Sequence, residues 1–86
     1  MKHLIIIGAG GMGRTMYDMA RESIGYGTQY DIRGFIDDNV AALDNFANYP
    51  PIIAPIQGYQ PQEDEVFACS IGGTSRQKCM EEIVGR

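Results

Sequence analysis

The chain has 86 residues, 44% of them hydrophobic and 21% charged, which bounds it to one small domain with a thin core. Its net charge of −4 excludes the basic stripe on which phosphate-tracking nucleic-acid surfaces are built, so no nucleic-acid partner is expected. No apolar run approaches the roughly 20 residues that span a bilayer. The short "HLIII" near Met1 is followed by a glycine turn rather than a cleavage site, so the expectation is a cytoplasmic chain with no membrane partner.

In chain order, residues 3–7 form a continuous apolar run, as a parallel strand covered on both faces requires. A glycine cluster follows. Met16, Met19, Ala20 and Ile24 then recur at helical spacing, with Tyr17, Asp18, Arg21 and Glu22 on other faces, until Gly25 and Gly27 stop the helix. "YDIRGFI" (30–36) reads as a second strand ending in Asp37 and Asp38, which completes a strand-helix-strand unit of parallel-crossover size. Residues 37–51 are a polar loop with one helical turn expected near Ala41 to Leu43. Pro50 and Pro51 exclude a central strand there.

"IIA" (52–54) fits a short edge strand, and "QPQEDE" (60–65) a solvated connection. "VFACSIG" (66–72) is a further strand ending at Gly72 and Gly73. Thr74 is expected to cap a second helix with Gln77 closing the capping box, and Cys79, Met80, Ile83 and Val84 as its buried face. The alternation implies an α/β fold: a Rossmann-like three-layer domain with a small parallel sheet. A sheet of this kind normally continues, so the 86 residues are expected to be the N-terminal piece of a longer protein.

The glycine turn is where chemistry is expected. Gly8, Gly10 and Gly13 have dinucleotide-fingerprint spacing, after a strand and before a helix. In that setting Gly8 permits the tight exit, Gly10 lets a ligand approach the backbone, and Gly13 lets the helix pack near the sheet. The helix amides and dipole then favour a phosphate. Gly11 widens access, and Arg14 either adds charge against a diphosphate or is a solvated surface residue. Asp37 follows Gly8 by more than the usual interval, yet an acid at the end of the second strand can accept from a ribose or a base edge. Asp38 is placed beside it or caps a turn, and a doubled acid disfavours the 2′-phosphate of NADP.

No catalytic set is visible. His3, the one histidine, precedes the buried strand, away from the carboxyl ends where such sheets place their sites. Ser70 lacks a base partner. Cys69 and Cys79 fit small buried hydrophobes rather than a disulfide or a zinc site, and no metal is expected.

Taken together, "LIIIGAGGMGR", "GFIDD", "YPPIIAPIQGY" and "CSIGGTSRQK" resemble one N-terminal domain, that of the bacterial sugar acyltransferases. These include the sialic acid O-acetyltransferases and the UDP-amino-sugar N-acetyltransferases of pilin glycosylation, hexapeptide-repeat enzymes. The resemblance spans essentially all 86 residues. It implies a Rossmann-like module that binds a nucleotide sugar, a UDP-sugar, for bacterial surface polysaccharide or glycan synthesis. By motif match Gly8, Gly10, Gly11 and Gly13 would face the diphosphate; Met12 and Arg14 are counted in the same nucleotide-sugar site, Met12 packing against the ligand or filling a gap. Asp37 and Asp38 would lie near the nucleoside, with Ile53 and the Gly72 turn lining the same cleft.

The family's left-handed β-helix, which forms a homotrimer, binds acetyl-CoA and carries the catalytic histidine, has no counterpart in these residues. No cofactor and no catalytic residue is therefore expected here. The family commonly has histidine where this chain has Met12, so the acceptor sugar is expected to differ there. Two alternatives stay open: the NAD-binding domain of an oxidoreductase, and a nucleotide-sensing regulatory module.

Overall fold

The computed structural model describes residues 1–39, 41–44, 46 and 48–70. The expected second helix, with Gly72, Gly73 and Cys79, lies outside the described residues. Five elements follow in order: β1 (Lys2–Ile7), α1 (Gly11–Glu22), β2 (Tyr30–Ile36), β3 (Ile52–Ala54) and β4 (Glu65–Cys69). The strands form one four-stranded sheet in the order β3-β2-β1-β4, every pair parallel. The domain is therefore Rossmann-like α/β, as the alternation of elements implies.

β1 sits inside the sheet, and its isoleucines serve both faces. Ile5 and Ile7 join Ile36, Ile56 and Cys69 on one side, while Ile6 joins Ala9 and Phe35 beneath α1 on the other. Ile5, Ile6, Ile7, Phe35 and Ile36 are fully buried. Each such side chain contributes roughly 1.5–3 kcal/mol of transfer free energy. Most of the core thus lies in two adjacent strands, directly under the loop that follows β1.

The helix meets the sheet on a different face from the one its methionines suggest. Gly13 is buried, and Met16 and Tyr17 pack on the core beneath it, whereas Met19 is 63% exposed. Ile24, expected on the buried face, lies beyond the helix end and is 98% exposed. The cause is tertiary: Gly13 must lie against the strand exit, and that contact sets the rotation of the whole helix. Residues 13, 16 and 17 then share its inner face. At its other end, the Tyr30 hydroxyl donates to the Ala20 carbonyl and ties the last turn to β2.

The connection from β3 to β4 crosses the face opposite α1, and its polar run is not simply solvated. The Glu65 side chain is 1% exposed and accepts from three donors. Arg33 approaches at 2.7 Å, the Tyr59 hydroxyl at 2.8 Å and the Gln62 N–H at 2.8 Å. Arg33 reaches β4 across β1 from an irregularity in β2: Leu4 pairs with Ile32 and Ile5 with Gly34, leaving Arg33 as the extra residue. Beside this network His3 lies between Asp31, at 2.6 Å, and Asp64, at 3.3 Å, at the amino ends of the strands.

Tyr59 stacks edge-on against Phe67, with ring centroids 6.0 Å apart. Burial, then the hydrogen bond and negative charge of Glu65, push its phenol from 10.0 up to about 12. The neutral phenol is the form the fold holds, so its contribution is intact below pH 10.0 and is lost as pH rises through about 12. The expected result is a urea midpoint that falls across that alkaline window. It falls less in Tyr59→Phe, which has no phenol to ionise. Equal alkaline slopes in the two proteins would show that Tyr59 does not carry the effect.

Candidate functional site

The chain runs outward from β1 through β2 to β3 and then returns to place β4 on the other side of β1. Between the carboxyl ends of β1 and β4 the sheet therefore changes direction, the position where open α/β sheets hold ligands. Residues 8–13 lie at that point, and contacts from Ile36, Asp37 and Ser70 fix the start of this segment. Gly8 N–H donates to the Ile36 carbonyl at 2.8 Å, and Gly8 itself has φ of 95°, a left-handed conformation that glycine adopts without strain. The buried Ala9 donates its N–H to Asp37 Oδ2 at 2.8 Å. Just past β4, Ser70 donates its N–H to the Ile7 carbonyl, and its Oγ lies 2.8 Å from that oxygen and 3.1 Å from the Gly8 carbonyl.

The glycines of this loop differ in what requires them. A Cβ on Gly13 would lie 1.9 Å from the Gly8 carbonyl oxygen and 3.2 Å from Ser70 Oγ. The fold itself excludes any side chain there. A Cβ on Gly10 would meet nothing within 4 Å, and one on Gly11 only the tip of Arg14 at 3.9 Å. Gly10 has φ −74° and ψ −167°, which any residue can adopt. Neither packing nor backbone geometry explains a glycine at position 10, and the space it leaves faces outward.

That space is bordered by amides. Gly10 caps α1 without a side-chain hydrogen bond, and the first turn holds no acidic residue. The first intrahelical bond runs from Arg14 N–H to the Gly10 carbonyl. The N–H groups of Gly11, Met12 and Gly13 consequently have no acceptor among the described residues, and they sit at the positive end of the helix dipole. Arg14 Nη1 donates to the Ala9 carbonyl at 3.2 Å, and its guanidinium lies 3.8 Å from the centroid of the Phe46 ring. No carboxylate pairs with it among the described residues. Uncommitted amides, one uncompensated guanidinium and side-chain-free space can together accept an anionic group such as a phosphate.

The remaining sequence-predicted positions have other surroundings. Met12 is 61% exposed in the first turn of α1, at the rim of the amide border. Asp37 uses both oxygens inside the chain, Oδ2 for Ala9 N–H and Oδ1 for Asn39 N–H at 2.8 Å. It acts as a strut that shapes the loop. Asp38 Oδ1 accepts from Ile56 N–H at 2.9 Å and Gln57 N–H at 3.3 Å, which secures the turn after β3. Ile53 lies on the edge strand with β2 between it and β1, about 10 Å away by strand spacing. Gly72 lies outside the described residues.

Two residues belong to this site beyond those that the motif match places there. Ser70, which lacks a base partner in the sequence, uses its hydroxyl to hold the exits of two strands in register. Phe46 has no local signal, since its partner Arg14 is remote in sequence. Among the described residues, no helix is long and apolar enough to cross a membrane, and no group of three His, Cys, Asp or Glu could hold a metal ion.

Residues 3–83 match a family described as the PglD N-terminal domain. No curated protein and no solved structure matches the chain.

Proposed function

Starting from a chain that belongs to the PglD N-terminal domain family, the N-terminal domain of sugar acetyltransferases, we propose that it binds the nucleotide part of a UDP-linked amino sugar or sialic acid-type sugar. The observation that carries this reading is the contrast at the glycines. Gly13 is demanded by the Gly8 carbonyl, whereas the space at Gly10 serves nothing in the fold and lies against uncommitted amides. A diphosphate fills such a space and satisfies such donors.

On this reading Gly11, Met12 and Gly13 N–H groups bind the diphosphate, and Arg14 adds charge-assisted hydrogen bonds. Asp37 and Ser70 hold the loop from either side. The domain contributes binding energy and orientation to acetyl transfer. Acetyl-CoA would be the donor and a homotrimeric β-helix region would supply the base. On this reading the described residues supply no base for acetyl transfer, consistent with His3 standing at the amino ends of the strands. The proposed setting is bacterial surface glycan synthesis in the cytoplasm.

Titration of the chain with UDP and with a UDP-amino sugar by calorimetry tests the reading, with NAD as the competing ligand. Gly10→Ala is expected to keep the thermal unfolding midpoint, since cap loss and reduced unfolded-chain entropy offset within about 1 kcal/mol. It should weaken UDP binding about tenfold or more, because the methyl group occupies the phosphate's approach, and tenfold corresponds to about 1.4 kcal/mol. Tight NAD binding with no response to UDP or a UDP-sugar would overturn the proposal in favour of an oxidoreductase cofactor domain.

A further inference from the structure

The loop after β2 places one aromatic ring on the one guanidinium of the site. Phe46 N–H donates to the Leu43 carbonyl at 3.0 Å, and Ala42 and Leu43 pack on the core beneath α1. The start of this loop is tied to the site as well. Ala41 N–H donates to Asn39 Oδ1, Asn39 N–H donates to Asp37 Oδ1, and Asp37 Oδ2 accepts from Ala9 N–H. The segment carrying Phe46 and the glycine loop therefore share one strut.

The Phe46 ring is still 43% exposed, so it is not a core residue in search of cover. Its face lies 3.8 Å from Arg14 Cζ, while Arg14 Nη1 is held by the Ala9 carbonyl. An arginine on the first turn of a helix otherwise samples many rotamers. Here the ring on one side and the carbonyl on the other leave it in one place, with Nη2 beside Gly11. The remaining guanidinium N–H groups have no carboxylate to neutralise them among the described residues.

We propose that Phe46 is a positioning residue for the diphosphate of the bound nucleotide: its ring stacks on Arg14 and holds the guanidinium at the mouth of the glycine loop. This deepens the nucleotide reading given above and rests on it. A ring acting through Arg14 affects only the charged part of the ligand, whereas a ring stacked on the base affects the nucleoside equally.

The test is calorimetry of the chain with UDP and with uridine, in the wild type, Phe46→Leu, Phe46→Tyr, Arg14→Gln and the double variant Phe46→Leu/Arg14→Gln. Phe46→Leu is expected to weaken UDP two- to fivefold, about the range of an exposed cation–π contact, and to leave uridine unchanged. Arg14→Gln should weaken UDP about tenfold, as loss of a charge-assisted contact does. The double variant should be no weaker than Arg14→Gln alone, and Phe46→Tyr should restore wild-type affinity. Circular dichroism melting confirms that each variant is folded. Additive losses in the double variant, an equal loss for uridine, or unchanged UDP binding in Phe46→Leu would each overturn the positioning role. A wild-type chain that binds neither UDP nor uridine overturns the nucleotide reading itself, and the positioning role with it.

Discussion

Replacing Gly13 by alanine is expected to remove most of the stability of the domain at 25 °C. The added Cβ would stand 1.9 Å from the Gly8 carbonyl oxygen and 2.9 Å from its carbon, both backbone atoms. Neither can rotate away. Gly8 is bound through its N–H to β2, and Ser70 Oγ sits 3.1 Å from its carbonyl. Relief requires α1 to lift from the sheet, which opens the contacts of Met16 and Tyr17 with the core beneath. Overpacking of a close contact costs about 1–3 kcal/mol, and more where backbone must move. Small domains hold only about 5 kcal/mol or a little above, so a loss of about 3 kcal/mol or more removes most of the reserve. Urea unfolding followed by circular dichroism measures it. A Gly13→Ala midpoint equal to that of Gly10→Ala would refute the account, because the two glycines would then be equivalent.

The second large effect is expected far from the site, at Glu65. Its carboxylate is 1% exposed and joins β2, the connection before β4, and β4 itself through Arg33, Gln62 and Tyr59. Glu65→Ala leaves the Tyr59 hydroxyl and the Gln62 N–H without their acceptor and Arg33 without its counter-ion. Removing one member of a buried pair costs about 3–5 kcal/mol, but Arg33 is 37% exposed and can turn to water. The expected loss is therefore about 2–4 kcal/mol, read as a lowered urea midpoint. Glu65→Gln keeps an acceptor for Tyr59 and should lose less. An unchanged midpoint in Glu65→Ala would show that the network is only a surface ion pair.

Much of the fold is legible in the chain because local patterns carry it. Three consecutive isoleucines after a leucine can only be satisfied with cover on both faces, and β1 has it. "YDIRGFI" and "IIA" become strands where their composition suggests, and of the expected "VFACSIG" strand β4 takes Glu65–Cys69, starting one residue earlier and ending before Ser70, while 71–72 lie outside the described residues. The glycine spacing identifies the loop that holds the candidate site. The rotation of α1 was not legible, because Met16 and Met19 fit an inner face equally well by periodicity. The close approach of Gly13 to Gly8 decides between them. Nor was the burial of Glu65, since "QPQEDE" reads as solvent-exposed until Arg33 arrives from another strand.

The sequence by itself determined the class of fold and the place of the glycine loop, since these depend on short-range spacing of apolar residues and glycines, while four motifs in order carry the resemblance to the family. Only the tertiary structure decided what each acid and glycine does. It makes Asp37 a strut for Ala9 and Asp38 an anchor for the turn after β3. It also separates Gly13, which the fold requires, from Gly10, which it does not. The physical reason is that these roles are contacts between segments distant in the chain. Hydrogen bonds and steric exclusion of that kind act over about 3 Å, and no residue pattern along the chain encodes which distant backbone atom will arrive within that reach.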